Sequence, residues 1–434
     1  MSRSTATATG GPVTGSPVYP LGSAVSDEGH LIVGGCDVVD VAREFGTPAY
    51  IYATDDIRAR ARTFTGALRA RGVEFEVLYA SKAAPITAVY RILREEGLSV
   101  DIASGGELHM ALAAGFDPAR IYMHGNNKSA AELRMAFAAG IGCIVVDSLD
   151  EIARADWLAD RDQDVLIRLT PGITASTHSY VQTGQIDSKF GFAIEGGQAE
   201  AAVAAVNSSR HLRLAGFHAH IGSQIYELDP YVHAIELMAE FCRPHDPRVM
   251  NLGGGLGIAY TGSDRPPSIE RYVDLKVDAL ERCFDPLPKV LLEPGRSLVG
   301  NAGVTVYTVG AVKEIPDVRT YVAVDGGMSD NLRPMLYGSR YEALIANRAD
   351  APATVTSTVA GKHCESGDIL VRDVALADPR PGDLLVTPAT GAYGYAMANN
   401  YNGIPRPPVV LCADGQASLA VRRETYDDLV SRDV

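Results

Sequence analysis

Eight times between residues 75 and 293, a short apolar run gives way to a stretch with helical spacing. The apolar runs lie near 75–80, 98–102, 120–124, 142–146, 165–169, 214–219, 248–252 and 289–293. Helical patterns fill most of the gaps, among them Gly106–Ala114, Ala130–Ala139, Leu149–Ala159, Tyr231–Phe241 and Ile269–Cys283. A strand that is apolar throughout must be covered on both faces, and alternating helices supply that cover around a parallel sheet. Eight repeats predict an α/β fold, a parallel (β/α)8 TIM-like barrel. The longest interruption, Ile173 to Phe192, is expected to be a loop on the active face.

After Gly300 the rhythm changes. Val304–Val309, Thr320–Val324, Ala353–Val359, Leu384–Val386, Val409–Cys412 and Ala417–Val421 alternate or run apolar without helices of similar weight between them. They predict a separate, mostly antiparallel β domain. Upstream, Val38–Phe45 reads as a helix, Ala49–Ala53 as a strand and Asp55–Ala70 as an arginine-rich helix. The expected layout is a disordered tail over 1–18, a segment over 19–48 packing with the β domain, the barrel over 49–299 and the β domain over 300–434.

A chain of 434 residues is too long for one ordinary core, and its 46% hydrophobic content is ample for burial. The formal charge of −14 speaks against nucleic acid or an anionic membrane as partner. No apolar run reaches the length of a membrane span, and Met1–Gly15 lacks the basic start and apolar core of a signal peptide. Six cysteines without CxxC spacing argue against a zinc site or a disulfide scaffold and fit a reducing cytoplasm.

Barrel enzymes carry their chemistry at the carboxyl ends of the strands. The first run, Val73–Tyr79, leads into Ala80-Ser81-Lys82, ahead of a helix expected to hold Pro85 in its first turn and to end at Gly97. A lone lysine after a strand is ordinarily a solvated loop residue, but a partly desolvated one is an amine nucleophile toward carbonyls. Further strand ends bring Asp101-Ile102-Ala103-Ser104, His124-Gly125-Asn126-Asn127, Arg168-Leu169-Thr170, His218-Ala219-His220-Ile221-Gly222-Ser223, Gly253-Gly254-Gly255 and Glu293-Pro294-Gly295-Arg296. Turns alone do not need so many polar groups.

Three consecutive glycines mark either a tight turn or a nest whose N–H groups approach an anion. They follow the seventh strand, in the region where this fold commonly holds phosphate. A lysine opposite a phosphate nest has two readings: a Schiff base with a phosphorylated sugar, or an anchor for pyridoxal phosphate. Glu293 and His220 favour the second, because a carboxylate can keep the pyridine nitrogen protonated and an imidazole can stack on the ring. The plainer alternatives are a backbone-satisfied buried histidine and a rim ion pair of Glu293 with Arg296.

With these residues assembled, the chain resembles the diaminopimelate decarboxylase family, within the alanine racemase-like, ornithine decarboxylase-like group of pyridoxal-phosphate enzymes. The resemblance is carried, in order, by Tyr79-Ala80-Ser81-Lys82, Asp101–Leu108, Ser188-Lys189-Phe190-Gly191, His220–Gln224, Gly253-Gly254-Gly255 and Glu293-Pro294-Gly295-Arg296. Beyond the barrel it continues through Asp325-Gly326-Gly327-Met328, Arg333–Tyr337, Cys364-Glu365-Ser366-Gly367-Asp368 and Gly391-Ala392-Tyr393-Gly394. The loop to Asp187, with His178 and Thr183-Gly184, is broadly similar.

The resemblance implies that the cofactor is pyridoxal 5'-phosphate, anchored by Lys82, with His220 stacked on its ring and Glu293 at the pyridine nitrogen. It implies that Asp101 and Tyr393 line the cofactor pocket and that Ser223, Gly255, Gly295 and Arg296 hold the phosphate. Arg296, Arg333, Tyr337 and Tyr393 would bind substrate, the arginines gripping its remote carboxylate, and Glu365 would pair with its remote ammonium. Cys364 would return the proton to Cα. In the family Cys364 and Glu365 reach the site from the partner subunit, which implies a homodimer. The implied reaction converts meso-2,6-diaminoheptanedioate to L-lysine and CO2, with no metal. Related decarboxylases of other diamino acids, an amino-acid racemase and a non-catalytic carrier of the cofactor stand as alternatives.

Overall fold

The computed structural model describes residues 13–173 and 188–434. They fall into two units: Arg60–Gly257 with Pro266–Ser297, and the residues up to Ala59 with Ile258–Arg265 and Leu298–Val434.

The first unit is the barrel. Its parallel strands are Phe75–Ala80, Ser99–Ile102, Ile121–Met123, Cys143–Val146, Gln163–Thr170, Leu212–His218, Val249–Asn251 and Lys289–Leu292. The eighth pairs with the first, Leu292 opposite Val77, and the ring closes with every strand hydrogen-bonded on both sides. Helices alternate with the strands, among them Thr87–Glu95, Gly105–Ala113, Ala130–Ala139, Leu149–Leu158, Gln198–Asn207, Asp229–Cys242 and Ile269–Glu281. Four of them begin on a serine, Ser104, Ser129, Ser148 and Ser268, whose side chain accepts the N–H three residues on. Each such cap is worth about 1 kcal/mol and fixes where the loop from the strand end must stop. Loops with such fixed ends hold strand-end side chains in place.

The second unit is built on a sheet in the order Ile369–Leu376, Val355–Ala360, Arg319–Val324, Gly303–Ile315, Ala49–Ala53, Val409–Ala413, Gln416–Val421, with Leu384–Thr387 pairing Gly303–Ile315 off this path. Two pairings are parallel, Arg319–Val324 with Val355–Ala360 and Ala49–Ala53 with Val409–Ala413; the others are antiparallel.

Several boundaries differ from the sequence expectation. Ala49–Ala53 belongs to the β unit and not to the barrel: it pairs antiparallel with Gly303–Val306 and is buried throughout. Its apolar run fits a central strand of either sheet, so pattern alone does not assign it. The expected tail does not extend to residue 18, because Val13 and Val18 are buried in the core around Ile51, Val304 and Val410. Strand Ile369–Leu376 was not foreseen, since exposed Arg372 and Asp373 interrupt its apolar pattern. Pro85 precedes its helix instead of opening it: the helix starts at Thr87, and Ala84 is non-helical, since a residue before a proline is disfavoured in the α region. Most of the loop expected at 173–192, with His178, Thr183 and Gly184, lies outside the described residues.

Candidate active site

Glu293 follows the eighth strand, and side chains from three other strand ends converge on it. His124, after the third strand, reaches Oε1 through Nε2 at 2.8 Å. Asn251, ending the seventh, donates Nδ2–H to the same oxygen at 2.7 Å. His218, ending the sixth, reaches Oε2 through Nε2 at 3.1 Å. All four residues are buried. Burial pushes the Glu293 carboxyl up, but its electrostatic contacts and hydrogen bonds with His124 and His218 outweigh it and hold the group well below its ordinary value. His218 is pushed down to about 4 by burial, so it is a neutral imidazole donating one N–H. The result is a fixed anion inside an apolar barrel. It is not the rim ion pair that the sequence left open.

The glycine triplet after the seventh strand is required by crowding. A Cβ on Gly254 would fall 2.1 Å from the Glu293 carbonyl oxygen. One on Gly255, whose φ is +105°, would fall 2.5 Å from the Gly222 oxygen and 2.6 Å from the Tyr231 hydroxyl. Two of the triplet's N–H groups have partners within the protein: Gly253 donates to Asn251 Oδ1 at 3.0 Å and Gly254 to His220 Nδ1 at 3.4 Å. The nest expected from three N–H groups therefore narrows to the segment at Gly255. Nearby, Arg296 donates Nη2–H to Ser223 Oγ at 2.8 Å, joining two residues expected to hold phosphate. Gly295 lies against the first strand's end, where a Cβ would be 2.9 Å from that of Ala80.

Lys82 sits on a single turn, Ser81–Ala83, directly after the first strand, and its side chain is exposed. Two bonds fix that turn: Ala80 N–H donates to the Pro294 carbonyl at 3.0 Å and the Tyr79 hydroxyl to the Ala84 carbonyl at 3.0 Å. Asp101, at the second strand's end, is raised well above its ordinary value by burial and by Glu293, with Lys82 opposing. Burial holds His220 well below its ordinary value, helped by Lys82 and Arg168. A neutral imidazole can lie on a cationic aromatic ring without repulsion.

In the β unit, Arg333 is buried at the start of the short helix Arg333–Tyr337. It donates Nε–H to the Tyr341 hydroxyl at 2.9 Å and Nη2–H to Ser339 Oγ at 3.1 Å. Its guanidinium lies 4.9, 5.6 and 5.8 Å from the ring centres of Tyr260, Tyr337 and Tyr393. The i,i+4 pair Arg333–Tyr337 is thus part of an aromatic cage and not an exposed surface pair. Tyr393 has a φ of +60°, a conformation a bulky side chain adopts only when its surroundings impose it. Cys364 and Glu365 are exposed on a loop held by Asp368, whose carboxylate accepts the N–H groups of Met328 at 2.7 Å and His363 at 3.0 Å.

His124, His218 and Asn251 received no role from the sequence, although their strand-end positions were visible. The signal was the pattern of polar strand ends. Which of these side chains turn toward one carboxylate depends on strand register and tilt.

A family model for the pyridoxal binding domain of pyridoxal-dependent decarboxylases matches residues 54–300. A diaminopimelate decarboxylase from Bacillus subtilis is 49% identical over 426 residues, covering 95% of this chain and 97% of that one. The enzyme of that name from Mycobacterium tuberculosis is 43% identical, covering 96% and 98%. Among solved structures, a diaminopimelate decarboxylase from M. jannaschii in complex with L-lysine superposes with a TM-score of 0.90 at 32% identity, covering 97% of this chain and 99% of that one. Each of these matches runs over nearly the full length of both chains. The chain belongs to the diaminopimelate decarboxylase family.

Proposed function

We propose that this chain decarboxylates meso-2,6-diaminoheptanedioate to L-lysine and CO2, using pyridoxal 5'-phosphate. The observation that carries the reading is the buried, anionic Glu293 at the end of the eighth strand, in a chain related over nearly its whole length to enzymes of that name. The residues fit the cofactor's chemistry: an exposed amine after strand one, a buried anion for a protonated pyridine nitrogen, and a glycine at 255 whose left-handed backbone is packed too closely for any side chain.

When bound, the cofactor supplies a ring that accepts the electron pair released at Cα as CO2 leaves. Lys82 would hold it through Nζ, and Glu293 would keep a proton on its ring nitrogen. His220, neutral and fixed by the Gly254 N–H, offers its ring face for stacking. Ser223, Gly255, Gly295 and Arg296 would hold the phosphate, and Asp101 and Tyr393 would line the pocket. Arg333 would take the substrate's remote carboxylate: its own contacts fix the guanidinium plane, and a planar fork binds carboxylate in bidentate fashion. Tyr337 and Arg296 would share that carboxylate, and Glu365 would pair with the remote ammonium. Cys364 Sγ would return the proton to Cα. The exposure of Cys364 and Glu365 in the single chain supports their contribution across a homodimer interface.

The test is incubation of the full chain with pyridoxal 5'-phosphate and meso-diaminopimelate, measuring lysine and CO2, beside ornithine and arginine. Lysine and CO2 in equal amounts are expected. Turnover of ornithine or arginine with none of diaminopimelate would sink the assignment, and stereochemical inversion without CO2 would make the chain a racemase.

A further inference from the structure

Behind the glycine triplet lies a polar cluster that the proposed reaction does not use. Lys276, on helix Ile269–Glu281, is 1% exposed. Its Nζ donates to the Leu252 carbonyl at 2.6 Å and to the Tyr272 hydroxyl at 2.6 Å. Tyr272, equally buried, donates its hydroxyl to the Gly254 carbonyl at 3.0 Å. The rings of Tyr231 and Tyr272 flank the amine at 4.4 and 4.3 Å and meet edge to face at 5.1 Å. The helix therefore grips the carbonyls on both sides of Gly253.

In a trans peptide the C=O and the following N–H point in opposite directions. Holding the Gly254 carbonyl toward Tyr272 turns the Gly255 N–H away from the helix. Holding the Leu252 carbonyl does the same for the Gly253 N–H, which meets Asn251 Oδ1 at 3.0 Å, and Asn251 in turn donates to Glu293. One chain of hydrogen bonds runs from Lys276 to both the glycine cradle and the site's anion.

We propose that Lys276 and Tyr272 are positioning residues that aim the Gly255 N–H, and thereby set the affinity of the glycine triplet for the cofactor's phosphate. This rests on the reading of the chain as a pyridoxal-phosphate enzyme. Glycine backbone is the most freely rotating in the chain, so an aimed N–H there needs an external brace. An apolar side chain would fill the same space without the cost of burying an amine, which argues that its donors are needed. Burial pushes the Lys276 amine well below its ordinary value, with Glu293 opposing, but a neutral amine still has two N–H donors for its two acceptors.

The test titrates full-length cofactor-free protein with pyridoxal 5'-phosphate, and separately with pyridoxal, which has the same aldehyde and ring but no phosphate. Binding is read from the absorbance of the Lys82-bound chromophore. Tyr272→Phe keeps the ring and its packing; it should weaken the phosphorylated ligand about tenfold, the scale of one lost hydrogen bond, and leave pyridoxal unchanged. Lys276→Met should weaken it at least as much. Equal weakening of both ligands, or unchanged affinity for the phosphorylated one in Tyr272→Phe, overturns the proposal. A wild-type chain that binds neither ligand overturns the pyridoxal-phosphate reading instead.

Discussion

Glu293 is the residue on which the site's charge depends, and its environment makes its replacement informative. Glu293→Gln keeps the shape and one acceptor but removes the anion held by His124, His218 and Asn251. Lysine formation should fall at least about a hundredfold, the scale of one lost preorganised charge. The bound-cofactor absorbance should persist, because Lys82 is untouched; an unchanged kcat would remove Glu293 from the chemistry. His218 carries a pH dependence of stability. It titrates near 6.5 in the unfolded chain and near 4 in the folded one. Between those values the unfolded chain binds the proton and the folded chain does not, so stability falls as pH drops from about 6.5 to about 4, by up to about 3 kcal/mol. Urea midpoints of the cofactor-free protein should show that fall, and His218→Asn should flatten it. Arg333→Ala should lower kcat/KM for diaminopimelate about a hundredfold through loss of one bidentate, desolvated pair. Equal rates for variant and wild type would reassign the remote carboxylate.

At the scale of elements, the site is a set of strand ends whose loops are stopped by serine caps and crowded by glycines. Gly255→Ala puts a methyl 2.5 Å from the Gly222 oxygen at a φ that disfavours side chains. Cofactor affinity should drop more than tenfold, with the folded state destabilised by about 1–3 kcal/mol; equilibrium dialysis and thermal melts check both. The eight barrel strands were legible because each is an apolar run bounded by helix, and period and length agreed. Ile369–Leu376 was not, because Arg372 and Asp373 lie on its exposed side and break the run. Lys82, His220, Glu293 and the triplet could be singled out because lysine, histidine, glutamate and glycine at strand ends have few structural reasons to be there. Lys276 could not: on helix Ile269–Glu281 it reads as one more solvated cation, and only the fold reveals that it points at Leu252 and Tyr272.

For the molecule as a whole, the proposed exchange of Cys364 and Glu365 between subunits makes a prediction that no single chain can satisfy. Lys82→Ala and Cys364→Ala should each be nearly inactive alone. Unfolded together in equal amounts and refolded, half the dimers carry both lesions apart, with one intact site each, so activity should return to about a quarter of wild type. No recovery would place both residues in the same subunit's site. Alternation of strand and helix by itself determined a closed parallel barrel, because apolar strands must be covered on both faces and helices follow them in the chain. Polar strand ends by themselves marked where the proposed chemistry lies. Tertiary structure alone decided that His124, His218 and Asn251 make Glu293 an anion, that Ala49–Ala53 joins the β sheet, and that a buried lysine braces the glycine triplet. Those outcomes depend on which side chains meet across strands far apart in sequence, and register and packing fix that only when the barrel closes.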